Sequence, residues 1–262
     1  MDTLVYYFSS TGNSLQISRD LVAELGDGRL QSIATVGPGP VRPDATHVGL
    51  VCPVFCWGVP RIVVEFVKRL EIRPGTYVFA VMTYGGTLGG AVRQLNSLMT
   101  ARGMPLRAGW AVQMPNNYPP VGGAPSRKRQ EKMFAKAASR VKQVAATVKV
   151  SGPGPIEAWP RLVCGPLYLA YRAAMAHFAQ ADQRFTVSAA CTRCGICAKV
   201  CPVGNIELVD GRPTWKHNCE QCMGCLQWCP AEAINWTRIS VGRKRYHHPK
   251  VKAHDMWEAP GR

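Results

Sequence analysis

Residues 4–25 read LVYYFSSTGNSLQISRDLVAEL. The apolar and aromatic run at residues 4–8 predicts a buried β-strand. Between Leu15 and Leu25, apolar residues recur at the spacing of one helix face, which predicts an amphipathic helix. Gly12 lies in the short turn that separates the two. A strand, a tight turn and a helix in this order predict the first unit of an α/β fold with a parallel sheet.

The chain continues this alternation up to about residue 150. Short apolar runs predict further strands at residues 30–33, 47–52, 77–83 and 108–113. Amphipathic patterns predict helices at residues 61–70, 88–102 and 127–148. Strands that alternate with helices predict a doubly wound sheet covered on both faces.

A second region follows the segment Gly152-Pro153-Gly154-Pro155, which cannot continue a helix. We therefore predict a first domain at residues 1–150, then a linker and bridging helix at residues 151–184. The bridging segment, residues 160–182, is expected to pack its apolar side on one or both domains, because isolated helices need tertiary burial. Residues 185–262 are predicted to form a small second domain with a basic C-terminal extension.

Two cysteine runs in this second region share one spacing. They are Cys191-x2-Cys194-x2-Cys197-x3-Cys201-Pro202 and Cys219-x2-Cys222-x2-Cys225-x3-Cys229-Pro230. The spacing is typical of two-cluster bacterial ferredoxins, in which the fourth cysteine of each run binds the other cluster. The predicted ligands of one 4Fe-4S cluster are Cys191, Cys194, Cys197 and Cys229, and those of the second are Cys219, Cys222, Cys225 and Cys201.

The cysteine runs belong to a longer internal repeat. The offset that relates Cys191 to Cys219 also relates Pro202 to Pro230 and Ile206 to Ile234. The segment therefore reads as two copies of one small metal-binding unit. Structural zinc is the alternative, but zinc sites usually need only paired Cys-x2-Cys knuckles. The doubled run favours iron-sulfur clusters and hence electron transfer.

The composition of the 262-residue chain, with 47% hydrophobic residues, is that of a packed globular protein. Eight of the eleven cysteines are assigned to clusters and no signal segment is visible, so we expect a cytoplasmic protein. The most apolar helical stretch, residues 162–178, contains Arg172 and His177, and no transmembrane segment is predicted.

The net charge of +16 is spread over both halves of the chain. No helix-turn-helix, zinc-finger or aromatic RNA-binding signature accompanies it, so nucleic acid is not a predicted partner. A large positive charge attracts anionic surfaces and speeds encounters with them. The expected partners are therefore acidic redox proteins.

The turn Ser9-Ser10-Thr11-Gly12-Asn13-Ser14 has the composition of a phosphate-binding loop. Hydroxyl groups and backbone N–H groups at a helix start can bind a dianion, and Gly12 permits a tight turn. The loop lacks the Walker lysine and the G-x-G-x-x-G pattern, which argues against triphosphate hydrolysis and dinucleotide binding. For this turn alone, an ordinary capped helix is the alternative.

Two later loops strengthen the interpretation. Residues 53–60 and 84–87 each follow a predicted strand and place aromatic residues beside glycine. Such loops meet at the carboxyl edge of a doubly wound sheet, where ligands bind. A flat ring beside Phe55, Trp57 or Tyr84, with its phosphate on the first loop, predicts an FMN site, although each aromatic alone is equally compatible with simple packing.

The turn at residues 9–14 resembles the phosphate loop of flavodoxins. With the cysteine runs, the whole chain resembles the fused flavodoxin-ferredoxin electron-transfer proteins, as do residues 114–118, 219–222 and 242–249. The resemblance implies a flavodoxin-like five-stranded sheet of order 2-1-3-4-5, noncovalent FMN, and a small α+β bacterial ferredoxin-like domain with two 4Fe-4S clusters. The basic composition departs from that of the strongly acidic long-chain flavodoxins. The candidate FMN-binding residues are Ser9, Ser10, Thr11, Gly12, Asn13, Ser14, Pro53, Phe55, Cys56, Trp57, Gly58, Thr83, Tyr84, Gly85 and Gly86.

A chain that holds both cofactors is expected to pass electrons between FMN, the clusters and external redox partners, converting two-electron into one-electron transfer. The alternative is an enzyme that reduces a small organic substrate or a quinone at the flavin. A redox sensor is a third class, but no output domain is visible. The sequence identifies no catalytic residue. The candidate proton donors, each more often structural, are Tyr84, Tyr118, His177, His247 and His248, and the expected inert buried thiols are Cys52, Cys56 and Cys164.

Overall fold

A computed structural model describes residues 2–258 of the chain. Residue 1 and residues 259–262, which the predicted domain ranges include, lie outside the described residues. The first domain contains five strands: β1 Thr3–Tyr7, β2 Gly28–Ser32, β3 His47–Pro53, β4 Tyr77–Tyr84 and β5 Ala108–Gln113. All neighbouring pairs are parallel, in the order β2-β1-β3-β4-β5. This order confirms the flavodoxin-like, doubly wound sheet.

Helices cover both faces of the sheet. They are α1 Asn13–Leu25, α2 Arg61–Arg69, α3 Ala91–Thr100 and α4 Arg127–Lys149. Because successive strand residues point to opposite faces, Val5 joins the core beneath α1 and α4, whereas Tyr6 joins the core beneath α2 and α3. Helix α3 is shorter than the predicted 88–102 because Gly89, with φ of +61°, turns the chain just before it.

The bridging helix α5, Arg161–Phe178, is shorter and less buried than the sequence predicts. Of its residues 162–178, only Cys164, Tyr171 and Phe178 are buried. These three lie seven residues apart and therefore form one narrow stripe along the helix. No helix within residues 2–258 has the length and apolar composition needed to cross a bilayer.

The second domain consists of two antiparallel strand pairs and two short helices. Its elements are β6 Phe185–Val187, α6 Ile196–Lys199, β7 Ile206–Val209, β8 Arg212–Trp215, α7 Gly224–Gln227 and β9 Ile234–Trp236. The offset between the two cysteine runs also relates α6 to α7 and β7 to β9. Strand β6 pairs with β9, and β7 pairs with β8, so each pair takes one strand from each copy of the repeat. The two copies therefore fold as one interlocked unit.

Candidate functional site

The loop between β1 and α1 lies at the carboxyl edge of the sheet and has the features of an anion site. Ser10 is buried, and its Oγ has no hydrogen-bond partner within residues 2–258. Helix α1 starts at Asn13 without a side-chain cap, so its first turn points uncapped backbone dipoles towards the loop. An anion such as phosphate would satisfy both the orphaned hydroxyl and the helix start.

Beside this loop lies a cavity of about 550 Å³. This volume is in the range of ligand pockets, roughly 300–1,000 Å³. The cavity shares Phe55, Tyr84 and Asn117 with the small pocket of the phosphate loop, so the two spaces adjoin each other. Among the predicted flavin residues, those that line the large cavity are Phe55, Cys56, Trp57, Tyr84, Gly85 and Gly86.

A strained turn holds the aromatic wall of the cavity. Cys56 and Trp57 both adopt left-handed backbone conformations, with φ of +45° and +67°. Reciprocal backbone hydrogen bonds between Phe55 and Gly58, of 2.9 and 3.0 Å, close the turn. Trp57 Nε1 donates to Thr87 Oγ1 at 2.6 Å, which fixes the indole across the cavity mouth. The turn therefore presents its side chains in a set orientation.

The three thiols outside the cysteine runs differ in burial. Cys52 and Cys164 are buried, as expected. Cys56 is only partly buried and lies in the cavity wall, so the expectation of a buried thiol is wrong for this residue. Burial still raises the pKa of the Cys56 thiol, which keeps it protonated near neutral pH.

The other nine candidate flavin residues do not line the ring cavity. Seven of them line the phosphate pocket instead: Ser9, Ser10, Thr11, Asn13, Ser14, Pro53 and Thr83. Gly12 and Gly58 line neither space, and each is in close contact with another segment. A Cβ atom at Gly58 would lie 2.3 Å from Cδ2 of Tyr171, and one at Gly12 would lie 2.8 Å from Cβ of Val251. These glycines therefore permit close packing around the site.

The loop after β5 supplies cavity residues that the sequence did not assign. Asn116, Asn117 and Tyr118 line the cavity, and Asn117 Nδ2 donates a short hydrogen bond to Thr11 Oγ1. Burial raises the pKa of Tyr118 to about 12, and its hydroxyl accepts a 3.0 Å hydrogen bond from Gln221 Nε2. Their position in the chain could have identified these residues, because this loop also follows a strand at the carboxyl edge of the sheet.

A C-terminal strap, defined as residues 245–257, folds over the phosphate loop. Its Tyr246 hydroxyl donates to Asn13 Oδ1 at 2.6 Å, and its His248 backbone N–H donates to Thr11 O at 2.8 Å. Val251 packs against Gly12, as described above. The prediction from the sequence places this segment in a basic extension of the second domain and assigns none of its residues to the FMN site. The strap instead belongs to the structure around the first domain's ligand site.

The eight cysteines of the two runs surround two separate small cavities. One cavity is lined by Cys191, Cys194, Cys197 and Cys229, and the other by Cys201, Cys219, Cys222 and Cys225. These are the two crossed sets that the spacing predicts. Within residues 2–258, no three His, Cys, Asp or Glu side chains meet at the spacing of a single metal ion. The four cysteines of each set surround a small cavity and do not converge on one atom-sized position.

Backbone hydrogen bonds point at several of these sulfurs. The Sγ atoms of Cys201, Cys219 and Cys229 accept from backbone N–H groups at 3.1 to 3.3 Å. Such bonds favour the thiolate form that binds iron. Without a cation, burial raises the pKa of Cys219 to about 12 and that of Cys197 to about 11. Metal binding must therefore displace protons from these thiols. The positive charge of iron would stabilise the resulting thiolates.

Residues 190–234 match the family model of the 4Fe-4S dicluster domain. The matched segment contains both cysteine runs and both cavities, and it follows a sheet of flavodoxin-like order. The chain joins a flavodoxin-like domain to a 4Fe-4S dicluster domain. The strand order shows a flavodoxin-like fold, and the matched segment indicates an iron-sulfur redox protein.

Solved structures resemble the flavodoxin-like domain only distantly. An FMN-dependent NADH-azoreductase from Bacillus anthracis is 10% identical over 57% of this chain and 100% of its own, with a TM-score of 0.41. Rubredoxin oxygen:oxidoreductase from Desulfovibrio gigas is 15% identical over 57% of this chain and 37% of its own, with a TM-score of 0.36. Megasphaera elsdenii flavodoxin is 17% identical over 53% of this chain and 98% of its own, with a TM-score of 0.34. No curated protein sequence matches the chain. The fold assignment therefore depends on the strand order and not on these matches.

A buried ion pair joins the flavodoxin-like domain to the dicluster domain. Arg61 Nε, in the first turn of α2, donates to Glu220 Oε1 at 2.9 Å, and the Glu220 side chain is only 2% exposed. The Ile62 backbone N–H donates to the other carboxylate oxygen at 3.3 Å. Burial raises the pKa of Glu220, and the Arg61 guanidinium opposes that rise. Because Glu220 lies between two predicted cluster ligands, the pair holds the ligand loop against α2.

Helix α7 and the residue after it contact the phosphate site directly. Trp228 Nε1 donates to Ser10 O at 2.9 Å, and Gln227 Nε2 donates to Asn117 O at 2.6 Å. The indole of Trp228 also stacks on His247 of the strap, with ring centroids 4.3 Å apart. The dicluster domain thus forms part of the support of the flavodoxin-like ligand site.

Proposed function

We propose that the protein transfers electrons between FMN, two 4Fe-4S clusters and external redox partners. One observation carries the proposal: Cys222 lines both the large cavity of the flavodoxin-like domain and the cavity of the second cysteine set. A flavin ring in the first space and a cluster in the second would share this residue as a common wall. A short distance between the flavin and this cluster would favour rapid electron transfer between them.

The phosphate of FMN would be held by the β1–α1 loop. Ser10 Oγ offers an unpartnered hydroxyl there, and the backbone N–H groups in the first turn of α1 offer further donors, without a metal. The isoalloxazine ring would lie in the neighbouring cavity against Phe55, Trp57 and Tyr84, with Tyr118 on the side towards the dicluster domain. Aromatic walls of this kind suit a flat ring.

The geometry favours an order of electron transfer. The cluster on Cys201, Cys219, Cys222 and Cys225 would be proximal to the flavin, and the cluster on Cys191, Cys194, Cys197 and Cys229 would be distal. Cys194 is exposed, whereas Cys219 and Cys225 are buried. External one-electron partners would therefore exchange with the distal cluster, close to the surface at Cys194.

The cofactors, once bound, would supply two-electron chemistry at the flavin and one-electron chemistry at each cluster. The chain's share is to hold them at fixed distances, to exclude water and to hydrogen-bond the sulfurs. The net charge of +16 supports acidic redox proteins as partners, and cysteines that bind clusters rather than form disulfides suit a reducing cytoplasm.

Two cysteine variants test this order in protein purified and analysed without oxygen. Wild-type protein is expected to contain about eight irons and one FMN per chain, following the doubled ligand pattern. Cys194→Ser should disturb the distal cluster, leave FMN bound and slow reduction of the flavin by an external one-electron donor. Cys222→Ser should disturb the proximal cluster and alter the flavin absorption as well. Full iron content without flavin, or equal flavin reduction in both variants and wild type, would contradict the proposal.

A flavin-dependent reductase of a small organic substrate or quinone is the second candidate. The observation that favours it is the extent of the cavity, whose wall continues beyond the aromatic loops to Arg129, Met133 and Phe178. Of the candidate proton donors, Tyr84 and Tyr118 line this cavity, whereas His177, His247 and His248 do not. Multiple turnovers of a quinone by the reduced protein, abolished when Met133→Trp fills the outer cavity, would favour the reductase over the carrier.

A further inference from the structure

Helix α5 is anchored to the flavodoxin-like domain by one side only. The Tyr171 hydroxyl donates to Val59 O at 2.7 Å, and the ring of Tyr171 covers Gly58. At the start of the helix, the Trp159 backbone N–H donates to Gly89 O at 3.1 Å. The Tyr171 contacts use the narrow stripe that contains Cys164, Tyr171 and Phe178, and the Trp159 contact fixes the segment that leads into the helix. The opposite side of α5 has no such partner among the described residues.

That opposite side is apolar. Leu162 is 93% exposed and Leu169 is 66% exposed, and both lie opposite the stripe. Val163 and Tyr168 are exposed at the edges of this face, where the ring of Tyr168 stacks on that of Tyr171. Five of the twelve exposed large apolar side chains in residues 2–258 lie between residues 159 and 169. Contiguous apolar surface of this kind marks an interaction site in soluble proteins. Something other than water is expected to cover it.

The charge of the protein argues against a second copy of the chain as the cover. Such a dimer would bring two strongly basic chains together, and their repulsion opposes it. A bilayer that contains anionic lipids attracts the same charge. Near the C-terminal end of α5, the side chains of Phe178 and Arg129 line one cavity, and the exposed residues at the start of α4 include Arg127, Lys128 and Lys132.

The side chains of the face suit a membrane interface. Trp159 and Tyr168 combine a ring with a polar atom, the arrangement that favours the level of the lipid headgroups. Leu162 and Leu169 can insert more deeply, while Arg172 remains exposed on the same helix. The stripe that packs on the flavodoxin-like domain holds α5 against the surface of the protein. The helix would therefore lie in the plane of the bilayer and not across it.

We propose that the outer face of α5, with Trp159, docks the protein on the surface of an anionic lipid bilayer. The apolar side chains supply insertion, and the positive charge of the whole chain supplies attraction. This docking does not depend on the identity of the electron carrier or on the presence of a substrate. It would confine electron transfer by the protein to the membrane surface.

Cosedimentation of the cofactor-loaded protein with lipid vesicles tests the proposal. Vesicles of phosphatidylcholine alone are compared with vesicles that also contain phosphatidylglycerol. Wild-type protein should bind the anionic vesicles at least tenfold more tightly than the neutral ones. The double variant Leu162→Ser, Leu169→Ser should lose at least tenfold in affinity, with unchanged visible absorption as evidence that it is folded and loaded.

Val150→Ser is the matched control, because Val150 is 76% exposed but lies at the end of α4. It should bind anionic vesicles like the wild type. Equal binding by the double variant would show that charge alone attracts the protein and would overturn the docking role of α5. Absence of binding to either vesicle would overturn it as well. So would a wild-type dimer that the double substitution converts into a monomer, since a second copy would then cover the face.

Discussion

The hydroxyl of Tyr246 donates a 2.6 Å hydrogen bond to Asn13 Oδ1 across 233 residues of sequence. The same Asn13 side chain donates through Nδ2 to Pro115 O at 3.0 Å, so its amide is held at both ends. Asn13 is the first residue of α1, where the phosphate of a flavin would bind. The C-terminal strap therefore stabilises the part of the loop that must be ordered before a ligand arrives.

Substitution of Tyr246 should weaken flavin binding without unfolding the protein. Tyr246→Phe removes one buried hydrogen bond, worth about 1 kcal/mol, which corresponds to about fivefold in affinity. Fluorescence titration of the apoprotein with FMN measures the change. Tyr168→Phe is the control, because Tyr168 is exposed on α5, and its affinity should equal that of the wild type. Equal FMN affinity of Tyr246→Phe and Tyr168→Phe would show that the hydrogen bond from the strap does not contribute to flavin binding.

Gly12 should tolerate no side chain, for two separable reasons. Its φ of +93° disfavours any other residue, and an added Cβ would lie 2.8 Å from Cβ of Val251. Gly26 isolates the first reason, since its φ is +83° and nothing lies within 4 Å of an added Cβ. Gly26→Ala should cost about 1 kcal/mol of unfolding free energy, and Gly12→Ala about 2 to 4 kcal/mol, because overpacking adds to the backbone cost. Urea unfolding measures both.

A second outcome checks the contact itself. In the double variant Gly12→Ala, Val251→Ala, the smaller side chain of residue 251 should recover part of the loss, down to a cost near that of Gly26→Ala. If the double variant is as unstable as Gly12→Ala, the strap does not press on the phosphate loop in solution.

Loss of Arg61 should destabilise the contact between the two domains. Arg61→Met leaves the Glu220 carboxylate buried without its cation, at a cost of about 2 to 4 kcal/mol. The control is Arg42→Met, which removes an exposed ion pair with Glu71 and should cost less than about 0.5 kcal/mol. Chemical denaturation followed by cluster absorption measures the difference.

The pairing predicts a partial rescue. The double variant Arg61→Met, Glu220→Gln removes the buried charge together with its partner, so it should be more stable than Arg61→Met alone. A double variant less stable than the single one would show that Glu220 is stabilised by groups other than Arg61.

Protonation of His248 should loosen the strap in mild acid. Burial, followed by the charges of Lys250 and Arg19, lowers the pKa of His248 to about 4. Its unfolded value is about 6.5, so between these values the unfolded chain binds the extra proton and the folded chain does not. Stability is therefore highest above pH about 6.5 and falls as the pH decreases towards 4, by about 2 to 3 kcal/mol for this residue.

Denaturation at a series of pH values measures this slope. His248→Gln, which cannot gain the proton, should show a flatter profile than the wild type between pH about 6.5 and 4. Identical profiles for His248→Gln and the wild type would place the acid sensitivity elsewhere.

Electron exchange with acidic carriers should slow as salt is added. The charge of +16 attracts an acidic partner at long range. Salt screens this attraction, and the screening length shortens from about 10 Å at 0.1 M to about 3 Å at 1 M ionic strength. Stopped-flow mixing with an acidic ferredoxin should show second-order rates that decrease steeply with ionic strength. A basic cytochrome provides the comparison, since its rate should rise or stay constant. If the rate constant with the acidic carrier does not change with ionic strength, steering of the encounter by charge is excluded.

Local patterns in the sequence determined the strands, the helices and the two cysteine runs. Residues 4–25 predict one strand and one helix because each pattern repeats at the short period of its own element. The constant offset between the two cysteine runs predicts the doubled cluster unit. The crossed cysteine sets were also predictable, since a known spacing specifies which thiols can reach one space.

Only the tertiary structure decided how the phosphate loop is supported and how the domains meet. Tyr246 and Asn13, Arg61 and Glu220, and Val251 and Gly12 are each far apart in the sequence, and no periodic pattern marks such pairs. Their contacts arise because the sheet edge, α7 and the strap converge in space. The apolar outer face of α5 is a similar case: the sequence predicted that the apolar side of this helix packs on one or both domains, but packing against the flavodoxin-like domain covers one stripe and leaves the rest exposed.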